Sequence, residues 1–374
     1  MKVPYYSPWI TKNDESYMLK ALHQRWLTNG PFLKKFENKI SNVLKCKSAS
    51  GVGSATQALH LSLRALGIKE GDEVIVPTFT FVASANAALY CNAKPILTDV
   101  DNDTFTIIPS EIEKNITKNT KAIIVVHYGG QSCDMDSILS ISKKYDIPIV
   151  EDCAHALGAK FKKNFCGTIG KVGCFSFYPT KVITTGEGGA LTTNNSKINK
   201  KINLLRSQGM DFSAEFREKT SKWKYDILDL GYNYRLDEIR SALGYSQISR
   251  LGTINKMRKK IAKIYDRELS KINGIIIPKI ASNRNHIYHL YTIKVEKNYH
   301  LTRDQLFENL SKNGIGSSVQ YTPVHELSFY KNRFKYKNND FPNSTTLKSK
   351  ILCLPIFPQM TEKQIKKVIS VIGN

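Results

Sequence analysis

Lys181 is the residue of this sequence whose surroundings most suggest covalent chemistry, because it stands between an apolar run and a glycine-rich turn. The run is FSF at 175–177 and the turn is TTGEGG at 184–189, with hydroxyl side chains flanking the lysine. A lysine whose pKa is lowered by its environment can attack an aldehyde and form a Schiff base. Most lysines are solvated surface groups, and this chain has 43 of them. The residues that accompany Lys181 must therefore decide its role.

The segment SGVGSATQAL at 50–59 is the first of these accompanying features. It leads into a predicted helix, where small residues let a phosphate approach the backbone and the helix N-terminus offers unpaired N–H groups. It has neither the lysine of a Walker loop nor the G-x-G-x-x-G spacing. Taken alone, the segment fits an ordinary helix cap better than an anion site.

Asp152 is the second feature, since it ends an apolar run and lies 29 residues before Lys181. A carboxylate beyond a central strand can hold a positively charged heterocyclic nitrogen, although it can equally cap the next helix. The hydroxyl of Ser176 lies close to the lysine in sequence. An aldehyde, a phosphate and a basic ring nitrogen occur together in pyridoxal phosphate. These residues therefore predict that cofactor.

The elements that must position these residues alternate in type from about residue 50 to 195. Short β-branched apolar runs predict strands at 73–77, 95–100, 122–127, 147–152, 172–177 and 189–193. Helical stretches are predicted between them at 55–66, 82–91, 109–117 and 134–145. This alternation is typical of an α/β fold with a mainly parallel sheet covered on both faces. Ligands of such sheets bind beyond the carboxyl ends of the strands.

The second half of the chain predicts a smaller α+β domain after a helical connector at 236–264. Strands are expected there at 291–295 and 317–321, and helices at 303–313 and 361–372. The predicted organisation is an N-terminal arm and substrate-site segment (1–40), a large cofactor-binding domain (41–240), and a connecting helix with the small domain (241–374). The arm is expected to return onto the body of the protein.

Composition excludes several classes of protein. The chain has 374 residues, 41% of them hydrophobic and 23% charged, which excludes a disordered, collagen-like or coiled-coil protein. It has no apolar run long enough for a membrane helix and no signal-like start, so a cytoplasmic protein without membrane contact is expected. Seven scattered cysteines without a C-x-x-C pair indicate reduced thiols and no zinc site.

The net charge of +23 comes mainly from the second half of the chain. Residues 1–196 carry 22 basic and 17 acidic residues, whereas residues 197–374 carry 33 and 15. Only 12 of the basic residues are arginine, the side chain that nucleic-acid readers concentrate. The charge therefore favours a solvated lysine-rich surface, with attraction of an anionic small substrate as the alternative, and no nucleic-acid partner is expected.

Beyond these features, the sequence resembles the DegT/DnrJ/StrS-type nucleotide-sugar aminotransferases, which are fold-type I pyridoxal-phosphate enzymes. The resemblance covers nearly the whole chain. Besides 175–189, it is carried by WLTNGP (26–31), FE (36–37), GDEVIVP (71–77), TF (80–81), TKAI (120–123), ED (151–152), LRSQG (205–209), LGYNYRL (230–236) and VQYTPVH (319–325). It implies a large domain with a seven-stranded sheet. Many relatives have Asp where this chain has Lys171, and His where it has Gln208.

The resemblance also implies roles for the residues of the cofactor site. Lys181 is expected to hold pyridoxal 5'-phosphate through a Schiff base, and Asp152 to pair with its ring nitrogen. His155 is expected near the ring hydroxyl. Phe81, which follows Thr80, is expected to stack on the ring.

Further implied contacts concern the phosphate, the sugar and a second subunit. The backbone amides of Ala55 and Thr56, with the hydroxyls of Thr56 and Ser176, resemble the phosphate cradle. Asn233 resembles the residue that reaches the phosphate of the partner subunit, which implies a homodimer with shared active sites. The implied substrate contacts are Thr28, Tyr321 and His325.

The implied reaction moves an amino group from L-glutamate to a nucleotide-linked 4-keto-6-deoxy sugar, for surface polysaccharide or glycan. The segments at 314–316 and 321–325 favour a 4-amino over a 3-amino product. A sugar dehydratase of the same fold is an alternative, but those relatives carry His in place of the Schiff-base lysine. A nucleic-acid-binding regulator lacks an arginine-rich helix here. Metal-dependent hydrolysis at His286 and His289 lacks an acid at ligand spacing.

Overall fold

The structure, a computed structural model, describes residues 1–211 and 225–374. Its strands, numbered in chain order, are β1 (Ser48–Val52), β2 (Glu73–Pro77), β3 (Lys94–Thr98), β4 (Thr120–Val126), β5 (Ile149–Asp152), β6 (Lys160–Phe161), β7 (Asn164–Phe165), β8 (Val172–Ser176), β9 (Gly189–Thr193), β10 (Ile275–Ile276), β11 (Arg284–Asn285), β12 (Tyr291–Val295) and β13 (Ile351–Leu354). In the described part of the chain they form one large sheet and two three-stranded ones.

The large sheet has seven strands in the order β1-β9-β8-β5-β4-β2-β3. Strands β3, β2, β4, β5 and β8 run parallel to one another, whereas β9 runs antiparallel to both of its neighbours. The six strands predicted between residues 73 and 193 are all present in this sheet. The mainly parallel α/β architecture is therefore confirmed.

Strand β1 was not predicted, because its sequence SASGV contains small residues with a weak preference for strands. It forms through its partner, since Ser48 to Val52 pair in register with Thr193 to Gly189 of β9. Its carboxyl end leads directly into the helix that begins at Ala55. The pairing with β9 thereby brings that helix start to the same edge of the sheet as the ends of β5 and β8.

The helices of the first 211 residues cover the sheet and form the N-terminal region. They are α1 (Lys12–Leu22), α2 (Pro31–Leu44), α3 (Ala55–Ala65), α4 (Ala83–Tyr90), α5 (Pro109–Lys114), α6 (Met135–Tyr145) and α7 (Ser196–Leu205). The four helices predicted between 55 and 145 correspond to α3 to α6. Helices α3 and α4 pack their buried alanines and leucines against the central strands, which fixes the start of each helix relative to the sheet.

The predicted single connector helix is wrong, because the structure has two helices in this region. They are α8 (Glu238–Ile248) and α9 (Leu251–Leu269). At the break, the Arg250 guanidinium donates to both carboxylate oxygens of Asp14 and to the carbonyl of Trp9. Helices α1 and α2 contact α8, where the Glu238 carboxylate accepts bonds from the N–H groups of Gly30, Phe32 and Leu33.

A second hydrophobic core surrounds the small sheet β10-β12-β13. The helices of this region are α10 (Arg303–Lys312), α11 (Ser328–Phe334), α12 (Pro342–Lys350) and α13 (Glu362–Gly373). Helices α9, α10 and α13 bury apolar side chains against the sheet. The predicted strand at 291–295 and the helices at 303–313 and 361–372 are present. The domain boundaries remain a prediction.

The predicted strand at 317–321 is wrong. Of this segment, Ser318 alone exchanges backbone hydrogen bonds with β13, with Cys353 as its partner. The next residues leave the sheet, since the carbonyl of Gln320 accepts a bond from the hydroxyl of Tyr128. The segment therefore runs towards the carboxyl ends of the large sheet. No helix in the described residues is long and apolar enough to cross a membrane.

Candidate active site

A cavity of about 480 Å³ lies beyond the carboxyl ends of the parallel strands. Strand β5 ends there at Asp152 and β8 at Ser176, while α3 begins there at Ala55. Eight of the predicted site residues line it: Ala55, Thr56, Phe81, Asp152, His155, Ser176, Lys181 and Tyr321. The structure thus brings together residues that are up to 266 positions apart in sequence.

Asp152 is buried and hydrogen-bonded on both carboxylate oxygens. Its Oδ2 accepts a bond of 2.8 Å from Ser84 Oγ, and its Oδ1 accepts one of 3.0 Å from the N–H of Ala154. Burial raises the pKa of the Asp152 carboxyl, while these two bonds and the charge of Lys181 oppose that rise. A cation bound beside this carboxyl would keep it ionised, and the carboxylate would in turn keep a basic nitrogen protonated.

Ser84 is a contributor that sequence reasoning missed. Its hydroxyl also lies 3.0 Å from Thr80 Oγ1. Thr80 lies just before α4 and Ser84 lies in its first turn, so their contact forms at the start of that helix. Through Ser84, α4 orients the Asp152 carboxylate.

Lys181 lies in the turn after β8, where its N–H donates to the carbonyl of Tyr178. Burial lowers the pKa of the Lys181 amine to about 8, with the Asp152 charge acting in the opposite direction. At neutral pH this shift from 10.5 raises the uncharged fraction roughly 300-fold. The amine is therefore much more nucleophilic than a surface lysine.

The start of α3 leaves two backbone N–H groups without helical partners at the wall of the cavity. The N–H groups of Ala55 and Thr56 precede the first helical hydrogen bonds, and Ser54 Oγ caps the N–H of Gln57. Gly189 of β9 packs beneath this turn, where a Cβ atom would lie 2.5 Å from Ser54 C and 2.7 Å from Ala55 N. A larger residue at Gly189 would therefore displace the helix start.

Two residues of the motifs noted above hold the strand that leads into this helix. The Glu37 carboxylate accepts bonds from the N–H of Gly51 and from Arg206 Nη1, at 2.8 and 2.5 Å. Arg206 Nη1 also donates to the Gly51 carbonyl at 2.7 Å. The N–H and the carbonyl of Gly51, near the end of β1, are thus both held by this largely buried ion pair.

His155 is held between a backbone N–H and a phenol. Its Nδ1 accepts a bond of 3.3 Å from the N–H of Gly129, so Nε2 carries the hydrogen of the neutral ring and donates to the Tyr321 hydroxyl at 2.9 Å. Burial and the charge of Lys181 lower the pKa of His155 well below its ordinary value. Phe81 is 57% exposed, with its ring centroid 5.9 Å from that of Tyr321, and forms an apolar wall of the cavity.

Three predicted site residues lie outside the cavity. His325 is fully buried: its Nδ1 lies 2.8 Å from Thr78 Oγ1 and its ring stacks on Phe341. Its expected contact with the substrate stays a prediction. Thr28 and Asn233 are exposed. They pair through isolated backbone bridges with Asp237 and Ser207, respectively.

Of the two histidines considered as metal ligands, His286 has another partner, whereas His289 Nδ1 is buried without a hydrogen-bond partner. His286 Nδ1 accepts a bond from the N–H of Tyr288. A second group, His127, Glu151 and Cys153, has its ligand atoms within 4.8 Å of one another. However, Glu151 already accepts bonds from His127 Nε2 and from the N–H groups at 167, 169 and 170. This carboxylate therefore anchors a buried turn.

The residues present fit pyridoxal phosphate. A lysine with a lowered pKa suits its aldehyde, a buried carboxylate suits its ring nitrogen, and an open helix start with two hydroxyls suits its phosphate. An exposed phenylalanine offers a face for its ring.

Comparisons with known proteins agree with this site. The sequence model of the DegT/DnrJ/EryC1/StrS aminotransferase family matches residues 8–373. The chain is 37% identical to the spore coat polysaccharide biosynthesis protein SpsC of Bacillus subtilis, covering 100% of this chain and 96% of that protein. It is 34% identical to the GDP-perosamine synthase of Caulobacter vibrioides, covering 98% and 96%.

Among solved structures, the PLP form of Spr1654 from Streptococcus pneumoniae superposes with a TM-score of 0.92 at 29% identity, covering 100% of this chain and 98% of that one. The fold-type I architecture and the pyridoxal-phosphate cofactor expected from the sequence are therefore confirmed, and the protein is a sugar aminotransferase. With a family match over nearly its whole length and a site built from the matching motifs, this chain belongs to the DegT/DnrJ/EryC1/StrS aminotransferase family.

Proposed function

We propose that this enzyme transfers an amino group from L-glutamate to a nucleotide-linked 4-keto-6-deoxy sugar, in the biosynthesis of a surface polysaccharide or glycan. The observation that carries the proposal is the convergence of Lys181, Asp152 and the open start of α3 in one cavity. The relatives add the substrate class, since one is named for a GDP-linked sugar and another for a coat polysaccharide.

The residues of the cavity divide the work of transamination. When bound, pyridoxal phosphate supplies an electron sink for the charge that develops at the reacting carbon. Asp152 would hold the ring nitrogen of the bound cofactor protonated, because a buried carboxylate favours a cation beside it. Lys181 is the only lysine among the described residues that line the cavity. Its amine therefore takes the α-proton of the amino donor and later returns a proton, as general base and then general acid.

Both substrates would use this one cavity in turn. The donor leaves its amino group before the ketosugar enters, which gives ping-pong kinetics. The excess of basic residues after residue 196 would attract the diphosphate of the sugar nucleotide.

The test is a panel of nucleotide-linked ketosugars incubated with the enzyme and L-glutamate, with products read by mass spectrometry. A 4-amino product from a 4-keto-6-deoxy sugar would support the proposal. Conversion of only a 3-keto substrate, or loss of the hydroxyl without gain of nitrogen, would replace it with 3-amino transfer or dehydration. A reaction without glutamate measures any product that forms from amino groups already bound to the purified enzyme.

The reactivity of Lys181 should depend on pH in a defined way. Only the uncharged amine forms the bond to the cofactor aldehyde, so cofactor uptake by the apo-enzyme should accelerate as pH rises through about 8, the lowered pKa of Lys181. The rate is followed by visible absorbance in a series of buffers of equal ionic strength. A midpoint near the ordinary value of 10.5 would contradict the effect of burial.

The active sites are proposed to be shared in a homodimer. Tyr232 and Tyr234 stack on each other at 4.9 Å, and the Tyr232 ring lies 4.7 Å from that of His60, which leaves Asn233 between them exposed. The nearby segment also exposes Leu228 (61%) and Leu230 (72%). An exposed amide beside exposed leucines suits a surface that a second copy covers.

Mixed dimers test this proposal. Lys181→Ala and Asn233→Ala chains, each with a different tag and co-expressed, should form a hybrid with one intact site and about half the wild-type activity, although both parent dimers are poor. The matched control is a hybrid of Lys181→Ala and Asp152→Asn, where both residues belong to one chain's cavity, so neither site is restored. No recovery in a confirmed Asn233 hybrid, or a fully active monomer, would rule out the shared site.

A further inference from the structure

The N-terminal segment makes an isolated β-bridge with the C-terminal half of the protein. Val3 is buried and pairs in parallel with Ile315: its N–H donates to the carbonyl of Gly314 at 2.9 Å, and its carbonyl accepts from the N–H of Gly316 at 2.8 Å. Gly316 permits the close approach, because a Cβ atom there would lie 2.5 Å from the backbone nitrogen of Tyr5.

Tyr5 connects this N-terminal segment to the cavity wall. Its hydroxyl accepts a bond of 3.1 Å from Gln320 Nε2, while the Gln320 carbonyl accepts from the hydroxyl of Tyr128. Gln320 and the following residue, Tyr321, both line the active-site cavity. This segment makes no further ladder bonds after Ser318, so side-chain contacts such as these determine its position.

Tyr321 is left with a hydrogen to donate. His155 Nε2–H donates to the Tyr321 oxygen, since the other ring nitrogen is occupied by the N–H of Gly129. The phenol hydrogen of Tyr321 can therefore point to an acceptor in the cavity. Burial raises the pKa of Tyr321, which keeps the phenol protonated.

We propose that Tyr5 is a positioning residue: through Gln320 it holds Tyr321 so that this phenol donates a hydrogen bond to an oxygen of the bound ligand. The acceptor is either the oxygen of the hydroxyl group on the cofactor ring or an oxygen of the substrate. The inference rests on the proposed function only for the choice of L-glutamate as donor.

A double-mutant cycle tests the proposal. Tyr5→Phe removes the hydroxyl and keeps the ring, Tyr321→Phe removes the donor, and the double variant shows whether one acts through the other. Tyr6→Phe is the matched control, because Tyr6 is a neighbouring tyrosine that is 41% exposed. Thermal unfolding of each variant reports whether the fold is kept.

Two readouts distinguish the two acceptors. One is the pH titration of the visible absorbance of the cofactor-loaded enzyme without substrate, which does not depend on the proposed function. The other is the half-reaction with L-glutamate, in which the visible colour is lost. A shift in the absorbance titration assigns the acceptor to the cofactor. An unchanged titration with a changed glutamate concentration at half-maximal rate assigns it to the substrate.

We expect Tyr5→Phe to change one of these readouts about threefold to tenfold, the size of a lost hydrogen bond, and Tyr6→Phe to change neither. In the Tyr321→Phe background the Tyr5→Phe change should fall below about twofold. Equal effects of Tyr5→Phe in both backgrounds, or none in either readout, would overturn the proposal. If glutamate fails to react with wild-type enzyme, the donor assignment is wrong, while the absorbance titration still decides the role of Tyr5.

Discussion

Replacing Lys181 with alanine should reduce turnover by about three orders of magnitude or more, which is the largest loss expected of any single substitution in this enzyme. In the proposed mechanism, this side chain is both the attachment point of the cofactor and the proton carrier. No other lysine lines the cavity among the described residues, so no neighbouring amine can take over. The measurement is steady-state production of the amino sugar at saturating cofactor.

The control for this substitution is Lys171→Ala. Lys171 is exposed and lies just before β8, the strand that leads to the Lys181 turn. It should keep nearly wild-type turnover and the yellow colour of the bound cofactor. Turnover of Lys181→Ala within about tenfold of wild type, a loss near 1.4 kcal/mol, would contradict the proton-carrier role.

Replacing Asp152 with asparagine should have the next largest effect, a loss of about two orders of magnitude in kcat with partial retention of the cofactor. The amide has the same shape and can still accept the bond from the Ala154 N–H, so the fold should be kept. It carries no charge, however, and cannot hold a basic ring nitrogen in its protonated form.

The Asp152→Asn enzyme is compared with wild type in kcat and in the visible spectrum of the bound cofactor. An exposed acid away from the cavity, Asp136, provides the Asp136→Asn control and should leave both unchanged. Turnover of Asp152→Asn within about threefold of wild type, less than roughly 1 kcal/mol, would show that the electrostatic role is wrong.

The parts of the fold that could be predicted from sequence are those whose burial is visible in local patterns. Apolar runs such as 122–127 are buried on both faces, so they have a clear signal. Strand β1 has none, because its residues join the sheet only through pairing with β9. The segment 317–321 gave the opposite error: its residues alternate like a strand, but side-chain contacts with Tyr5 and Tyr128 draw it to the cavity.

The residues of the candidate site also fall into those that could be predicted from the sequence and those that could not. Lys181, Asp152 and the start of α3 could be predicted because each lies at the end of a recognisable element. Ser84 and Glu37 could not, since they act on Asp152 and on the end of β1 through contacts between distant segments. His325 was expected at the ligand, but its ring is enclosed by Thr78 and Phe341. Asn233 belongs to the proposed contact with a second chain, and the substrate contact of Thr28 stays a prediction.

Borohydride reduction of the cofactor-loaded enzyme tests the central claim most directly, because it converts the bond between lysine and cofactor into a stable amine. After proteolysis, mass spectrometry should find the cofactor mass on the peptide that contains Lys181, and the Lys181→Ala enzyme should yield no such peptide. A reduced adduct on another lysine in the wild-type enzyme, or no adduct despite bound cofactor, would contradict the assignment of Lys181 as the residue on which this active site is built.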